Sequence, residues 1–104
     1  MGAPVIKARN TNILLSNIDF EQTDDANFID ARATDLEIRY CKFFGGGDFD
    51  QLGGALYWQG HSLLIFGATF QSNKAASGGA IYLIGETPGK IDITSTTFLQ
   101  NEAQ

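Results

Sequence analysis

The chain has 104 residues, of which 43% are hydrophobic, so its length and composition are those of one domain. Its formal net charge is −5, and no basic stripe that could neutralise phosphates is present, which argues against nucleic acid as a partner. No apolar run approaches the ~18 residues of a membrane helix, and a single cysteine excludes an intrachain disulfide.

Four phenylalanines set the register of an internal repeat. They recur at intervals of 23, 27 and 28 residues, and two apolar residues stand seven and five positions before each of them. Alternation with period two is typical of a strand that buries one face. A second alternation, with its parity shifted, leads up to each phenylalanine, so we expect two short strands that meet at a corner. The phenylalanines are then predicted to stack as a core ladder: Phe20, Phe43, Phe70 and Phe98.

A third short strand opens each repeat. It aligns residues 5–8, 28–31, 55–58 and 80–83. Glycine pairs at the turns interrupt any helical periodicity. Three short strands per turn, stacked in parallel, predict an all-β fold, a parallel β-helix or solenoid of about four turns that forms a single domain over residues 1–104. A projecting loop is expected at residues 84–90. The repeats lie near residues 5–20, 28–43, 55–70 and 80–98.

Few residues could carry chemistry. His61 has no Ser or Cys partner at a recognisable spacing, and Cys41 falls in an inward column, so both are interpreted as structural. Glu37 and Asp92 share an outward column but lie two turns apart, which is a weak signal for a polysaccharide-active enzyme. We therefore expect no enzyme activity, no cofactor and no metal. The acidic groups that do not match a spaced calcium loop are Asp24 and Asp25 with Asp19 and Asp30, and Asp48 with Asp50.

Two short motifs resemble a known family. Gly-Gly-Ala-Leu or Gly-Gly-Ala-Ile, at residues 53–56 and 78–81, and Phe-x-x-Asn, at residues 70–73 and 98–101, resemble the repeat tetrapeptides of the polymorphic outer-membrane proteins. The match covers about residues 53–101 and is weaker in the first half. Members of that family are autotransporters with a surface-displayed passenger, a right-handed parallel β-helix. The resemblance implies that handedness, an extracellular or cell-surface location, and adhesion and self-association rather than catalysis.

The ends of the predicted helix suggest a function. The chain starts with a third strand and stops after a second strand, so both ends would present unpaired backbone and apolar side chains. The leading hypothesis is that copies associate head to tail into an extracellular filament or surface assembly. The alternative is an adhesin-like module, excerpted from a longer passenger, that binds a glycan or a host-surface protein. The residues predicted to form the assembly ends are Val5, Ile6, Ala8, Ile91, Ile93, Phe98 and Asn101.

Overall fold

The computed structural model describes residues 6–21, 27–47, 53–75 and 77–103, except for the side chains of residues 86–88 and 103. Within these residues the chain forms twelve β-strands. Their bounds are β1 (Ile6–Arg9), β2 (Asn12–Ser16), β3 (Asp19–Glu21), β4 (Ile29–Arg32), β5 (Asp35–Arg39), β6 (Lys42–Phe44), β7 (Leu56–Phe66), β8 (Thr69–Gln71), β9 (Lys74–Ala75), β10 (Ile81–Thr94), β11 (Thr97–Leu99) and β12 (Glu102–Ala103).

The strands form three parallel sheets. The largest has six strands: β1, β4, β7, β5 and β2 follow in that order, and β10 also pairs with β7. Strand β7 joins its two halves, because its first part pairs with β4 and its second part with β5. The second sheet has the order β11, β8, β6, β3, and the third pairs β12 with β9.

The predicted β-helix with three short strands per turn is wrong. In the first two repeats a residue with positive φ, Asn10 or Ala33, separates the opening strand from the next one. In the last two repeats the chain instead runs straight through Gly60 and Gly85, so two predicted strands merge into one strand of 11 or 14 residues. Because β7 is continuous, six strands belong to one sheet. The described residues therefore form parallel sheets of different sizes and strand orders instead of a regular solenoid.

The overall dimensions give a second correction. The molecule measures 31 × 25 × 21 Å along its principal axes and has a radius of gyration of 12.1 Å. It is a compact all-β globule, so the elongated repeat array that the autotransporter-like, filament and adhesin expectations assumed is not observed. The physical reason is that the hydrophobic faces of the sheets close around a single core cluster.

The predicted projecting loop at residues 84–90 is also corrected. These residues lie within β10, which pairs with β7 on both sides of them. Gly85 is opposite Gly60, and Lys90 is opposite Ser62, so the register shifts between the two pairs. The extra residues of β10 are therefore accommodated as a bulge in a continuous strand.

The phenylalanines that recur along the sequence stack on each other in the core. Phe43 pairs with Phe20 on one side and with Phe70 on the other. The ring centroids are 4.8 and 4.7 Å apart, and the planes differ by 4° in both pairs. Phe28 fills the space beside this stack, tilted against Phe20 and Phe43. Trp58 is fully buried and donates a hydrogen bond from Nε1 to the Thr34 carbonyl oxygen at 2.8 Å.

The corner before each phenylalanine-bearing strand has one left-handed residue. The residues in question are Asn17, Tyr40, Gly67 and Ser95, with φ of 57°, 54°, 68° and 48°. Such a conformation reverses the side-chain parity of the strand that follows. The phenylalanine after each corner can therefore point toward the core, although two of the four corners use a residue, Tyr40 or Ser95, for which positive φ is unfavourable.

Candidate functional site

The strongest candidate site is the layer formed by β10, β11 and β12, which we name the C-terminal layer. Each of these strands pairs with a strand of the preceding repeat: β10 with β7, β11 with β8, and β12 with β9. Among the described residues none of the three has a strand on its other side. The layer therefore ends in a row of backbone N–H and C=O groups at a sheet edge.

Apolar side chains in this layer are exposed where their counterparts one repeat earlier are buried. Leu63 and Phe70 are 1% and 0% exposed, whereas Ile91 and Phe98, which pair with them, are 46% and 49% exposed. The cause is that no further layer covers Ile91 and Phe98 among the described residues. A cavity of about 400 Å³ opens here, and its lining residues are Gly78, Ala80, Ile81, Leu83, Ile93, Phe98 and Asn101.

The opposite end, formed by β1, β2 and β3 and named the N-terminal layer, differs. Its core-facing residues Ala8, Leu15 and Phe20 are buried. Of the residues predicted to form assembly ends, Ile6 is half-buried in this layer, and Val5 lies outside the described residues. At the N-terminal layer the exposed apolar side chains are Leu14 on the outer face, at 63%, and Ile18 at the corner before β3, at 36%. At the C-terminal layer the structure brings Ile93, Phe98 and Asn101 into one cavity and leaves Ile91 on the adjoining edge.

Two asparagines form a hydrogen-bonded chain that ends in this cavity. The fully buried Asn73 accepts a bond from the Gly46 N–H at 2.8 Å through Oδ1. Its Nδ2 donates to the Phe43 carbonyl oxygen at 3.3 Å and to Asn101 Oδ1 at 2.9 Å. Asn101 repeats part of this pattern one layer on: its Oδ1 accepts from the Asn73 N–H at 3.1 Å, and its Nδ2 donates to the Phe70 carbonyl oxygen at 2.8 Å.

The difference between the two amides gives the cavity a polar group. Asn73 Nδ2 has two acceptors, and within the described part of the chain Asn101 Nδ2 has one. Asn101 Oδ1 accepts one N–H of the Asn73 amide, and among the described residues no acceptor takes the corresponding N–H of the Asn101 amide. Because an amide nitrogen carries two donors, the C-terminal layer offers a hydrogen-bond donor beside an apolar surface.

Two charges flank the exposed isoleucine of β10. Lys90 and Asp92 are the neighbours of Ile91, and alternation along the strand places both on the face opposite to Ile91. Neither forms an ion pair with another described residue. This pair was not predicted from the sequence, because Lys90 was assigned to a loop, although the alternation of Lys90, Ile91, Asp92 and Ile93 is typical of a strand.

A second cavity lies on the outer face of the largest sheet. Its volume is about 350 Å³, and its walls include Asn12, Leu14, Asp35, Glu37 and Leu64. Glu37 is ion-paired with Arg39. The hydrogen bond and the charge of Glu37 raise the pKa of the Arg39 guanidinium, so this carboxylate is held by a cation on its own strand.

The remaining candidates for chemistry are dispersed. Asp92 lies two repeats from Glu37 in the strand register, with Leu64 between them. Cys41 is fully buried, and its Sγ donates to the Arg39 carbonyl oxygen at 3.4 Å. Residues 24, 25, 48 and 50, named above as acidic candidates, lie outside the described residues. In the described ranges no group of three or more His, Cys, Asp or Glu side chains could hold a metal ion.

No protein-family model, no curated protein and no solved structure matches the chain. The resemblance to the polymorphic outer-membrane proteins accordingly remains a prediction from the tetrapeptides. The residues that the structure describes include no helix long and apolar enough to cross a membrane.

Proposed function

We propose that this protein is a non-enzymatic structural module that self-associates through its C-terminal layer. The observation that carries the proposal is that residues in equivalent positions of neighbouring repeats differ in the exposed fraction of their side chains. Phe70 is fully buried, and Phe98, stacked on it with a centroid distance of 5.2 Å, is 49% exposed. A side chain in a core column that lacks a cover is the expected signature of a surface that receives a partner.

Two kinds of interaction favour association at this layer. Covering a large aliphatic or aromatic side chain contributes about 1.5–3 kcal/mol when burial is complete, and Ile91 and Phe98 are both about half exposed. The unpaired edge of β10 and β11 can also accept a further strand, because an exposed edge is a template for strand addition. These contributions oppose the loss of translational and rotational freedom on association.

A second copy that uses the same surface is favoured over a head-to-tail contact. The N-terminal layer buries Ala8, Leu15 and Phe20, whereas Ile91 and Phe98 at the other end are about half exposed, so the core columns of the N-terminal layer offer less apolar area than those of the C-terminal layer. A contact between two C-terminal layers covers the exposed residues of both copies at once. Such a contact uses the same patch on both subunits and closes after two copies.

The test is sedimentation equilibrium over a wide concentration range, with two matched serine substitutions. We expect the unmodified protein to dimerise, and Phe98→Ser to raise the dimer Kd at least about tenfold because it removes a large apolar side chain from the centre of the contact. Phe44→Ser is the control, since Phe44 is an exposed phenylalanine on β6, away from this layer. A protein that stays monomeric at millimolar concentration would contradict the proposal.

A further inference from the structure

We propose that the two copies meet about a two-fold axis at Ile91, with the β10 strands paired antiparallel and Lys90 of one copy opposite Asp92 of the other. This inference rests on the proposed self-association and adds its geometry and its charge recognition. It identifies the partner as a second copy of this chain, bound through a self-complementary edge.

Strand β10 lies at an edge of the largest sheet. Residues 90–94 pair in parallel with β7, from Lys90 opposite Ser62 to Thr94 opposite Phe66. Within the described residues, no strand lies on the other side of this segment. An approaching strand can therefore hydrogen-bond beside Lys90, Ile91 and Asp92, and a two-fold axis perpendicular to β10 makes the pair antiparallel.

The position of the two-fold axis sets the register of the two β10 strands. In an antiparallel pair, side chains directly opposite each other lie on the same face of the sheet. An axis through Ile91 puts each Ile91 opposite its copy on the core face. The same axis puts Lys90 opposite Asp92 on the other face, and symmetry produces this pair twice. The opposite charges therefore meet without any change in the alternation of β10.

Neighbouring registers are less favourable. An axis through Asp92 would place the two Asp92 carboxylates opposite each other, and an axis through Lys90 would do the same for two ammonium groups; like charges directly opposite are destabilising. An axis between Ile91 and Asp92 would set a core-facing residue against an outward one, which breaks the pleat alternation. Among these registers, the axis through Ile91 alone pairs unlike charges.

Head-to-tail association predicts different neighbours for the same two charges. In the strand register, Asn12 pairs with Asp35 of β5, and Lys90 pairs with Ser62 of β7. If the same parallel register continued into the next copy of a head-to-tail assembly, Asn12 of that copy would lie opposite Lys90. Leu14 of that copy would lie opposite Asp92. Neither neighbour carries a charge, so the two arrangements can be separated by charge reversal.

The decisive experiment measures dimer Kd for Lys90→Glu, Asp92→Lys and the double variant at about 0.1 M ionic strength, where close pairs are only partly screened. Each single reversal sets like charges opposite each other twice, and we expect Kd to rise about tenfold. The double variant recreates the unlike pairs with their order exchanged, and we expect its Kd to return to within about threefold of the unmodified value.

Control variants separate this effect from net charge. Lys7→Glu and Asp19→Lys change the net charge by the same amounts as the two single reversals, and both residues lie in the N-terminal layer. We expect neither to change Kd by more than about twofold. If Lys7→Glu or Asp19→Lys weakens the dimer as much as the β10 reversals do, the proposed axis is wrong.

Cross-linking tests the axis without relying on charge. A residue on the axis faces its own copy at about 4.5–5.5 Å between Cβ atoms, and a disulfide needs about 3.5–4.5 Å, so a small approach of the two edge strands is enough to form one. We expect diamide to convert Ile91→Cys into a covalent dimer and to leave Ile93→Cys mainly monomeric, because Ile93 lies two residues from the axis. Cys41 is fully buried and does not compete.

The outcomes distinguish the two proposals. A dimer whose single reversals leave Kd unchanged, or whose double variant is not rescued, overturns the two-fold register and leaves self-association standing. A chain that is monomeric throughout overturns both. Rescue by the double variant, together with selective cross-linking at Ile91, is the expected result.

Discussion

Asn73 shows how one side chain holds neighbouring repeats together. Its amide satisfies the Gly46 N–H, the Phe43 carbonyl oxygen and Asn101 Oδ1, all inside the protein. A buried polar group that loses its partner costs about 1–3 kcal/mol, and the removal of this amide takes the acceptor from the Gly46 N–H and one donor from the Phe43 carbonyl oxygen. The side chain therefore acts as a polar clamp in an otherwise apolar core.

Replacement of Asn73 tests this role. We expect Asn73→Ala to lower the free energy of unfolding by about 1–3 kcal/mol, because the Gly46 N–H loses its acceptor in a dry environment. Asn12→Ala, at an exposed position of β2, should change it by less than about 0.5 kcal/mol. Urea denaturation followed by circular dichroism measures both, and equal values would contradict the clamp.

The phenylalanine stack gives a second prediction at the same scale. Phe70 has ring neighbours on both sides, Phe43 and Phe98, so its truncation leaves a cavity between two packed rings. We expect Phe70→Ala to cost about 3–5 kcal/mol. Phe44→Ala, on an exposed side chain, should cost less than about 1 kcal/mol. Thermal melts of the two variants compare them, and a similar loss in both would mean that the register is wrong.

At the scale of elements, Gly60 allows β7 to continue where two separate short strands were expected. A Cβ at Gly60 would overlap the Thr34 carbonyl oxygen, so the glycine lets the strand pass close to the backbone of the preceding repeat. Gly85, opposite Gly60 in β10, has more room: a Cβ there would meet only Ile91 Cδ1, at 3.5 Å. The same residue type therefore has different roles in two paired strands.

Alanine substitutions separate these roles. We expect Gly60→Ala to destabilise the protein by about 2 kcal/mol or more, since the methyl group meets backbone that cannot move freely. Gly85→Ala should be neutral or stabilise by up to about 1 kcal/mol, because alanine is favoured over glycine inside a strand when space allows. Chemical denaturation of both variants provides the comparison; a large loss at Gly85 would show that this reading of the two strands is incorrect.

Much of the strand pairing could be predicted from sequence, because it depends on local alternation and on fixed intervals. The pairing of Phe43 with Phe20 and Phe70 follows the intervals of 23 and 27 residues. The straight passage at Gly60 could not be predicted, since it depends on the Thr34 backbone of another repeat. The local signal at Gly60 was that of a turn.

The site was predictable only in part. Ile91, Phe98 and Asn101 were expected at an end because they belong to the last repeat. The contrast with the buried Phe20 was not expected, because the packing of the Phe28 ring against Phe20 is a tertiary contact that no pattern near Phe20 encodes. Lys90 was missed since the bulge in β10 has the composition of a loop.

For the whole molecule, we expect amide protection to fall from the central strands toward the C-terminal layer in the monomer. Edge strands with partly exposed side chains open locally at lower free energy than the core. Raising the concentration past the dimer Kd should slow exchange in β10 and β11 and leave β5 unchanged, because β5 already lies between β2 and β7. Hydrogen exchange at two concentrations measures this, and uniform slowing over the chain would contradict a localised contact.

The environment of Trp58 has a practical consequence for these experiments. The chain has one tryptophan, and its indole is shielded from water while its N–H is held by Thr34. Its fluorescence therefore originates from a single known place in the interior, one strand inward from β10, where Trp58 pairs with Leu83. A red shift in emission would report loss of the core, and an association that leaves the core intact should leave the spectrum unchanged, so one optical signal can separate unfolding from dimer dissociation.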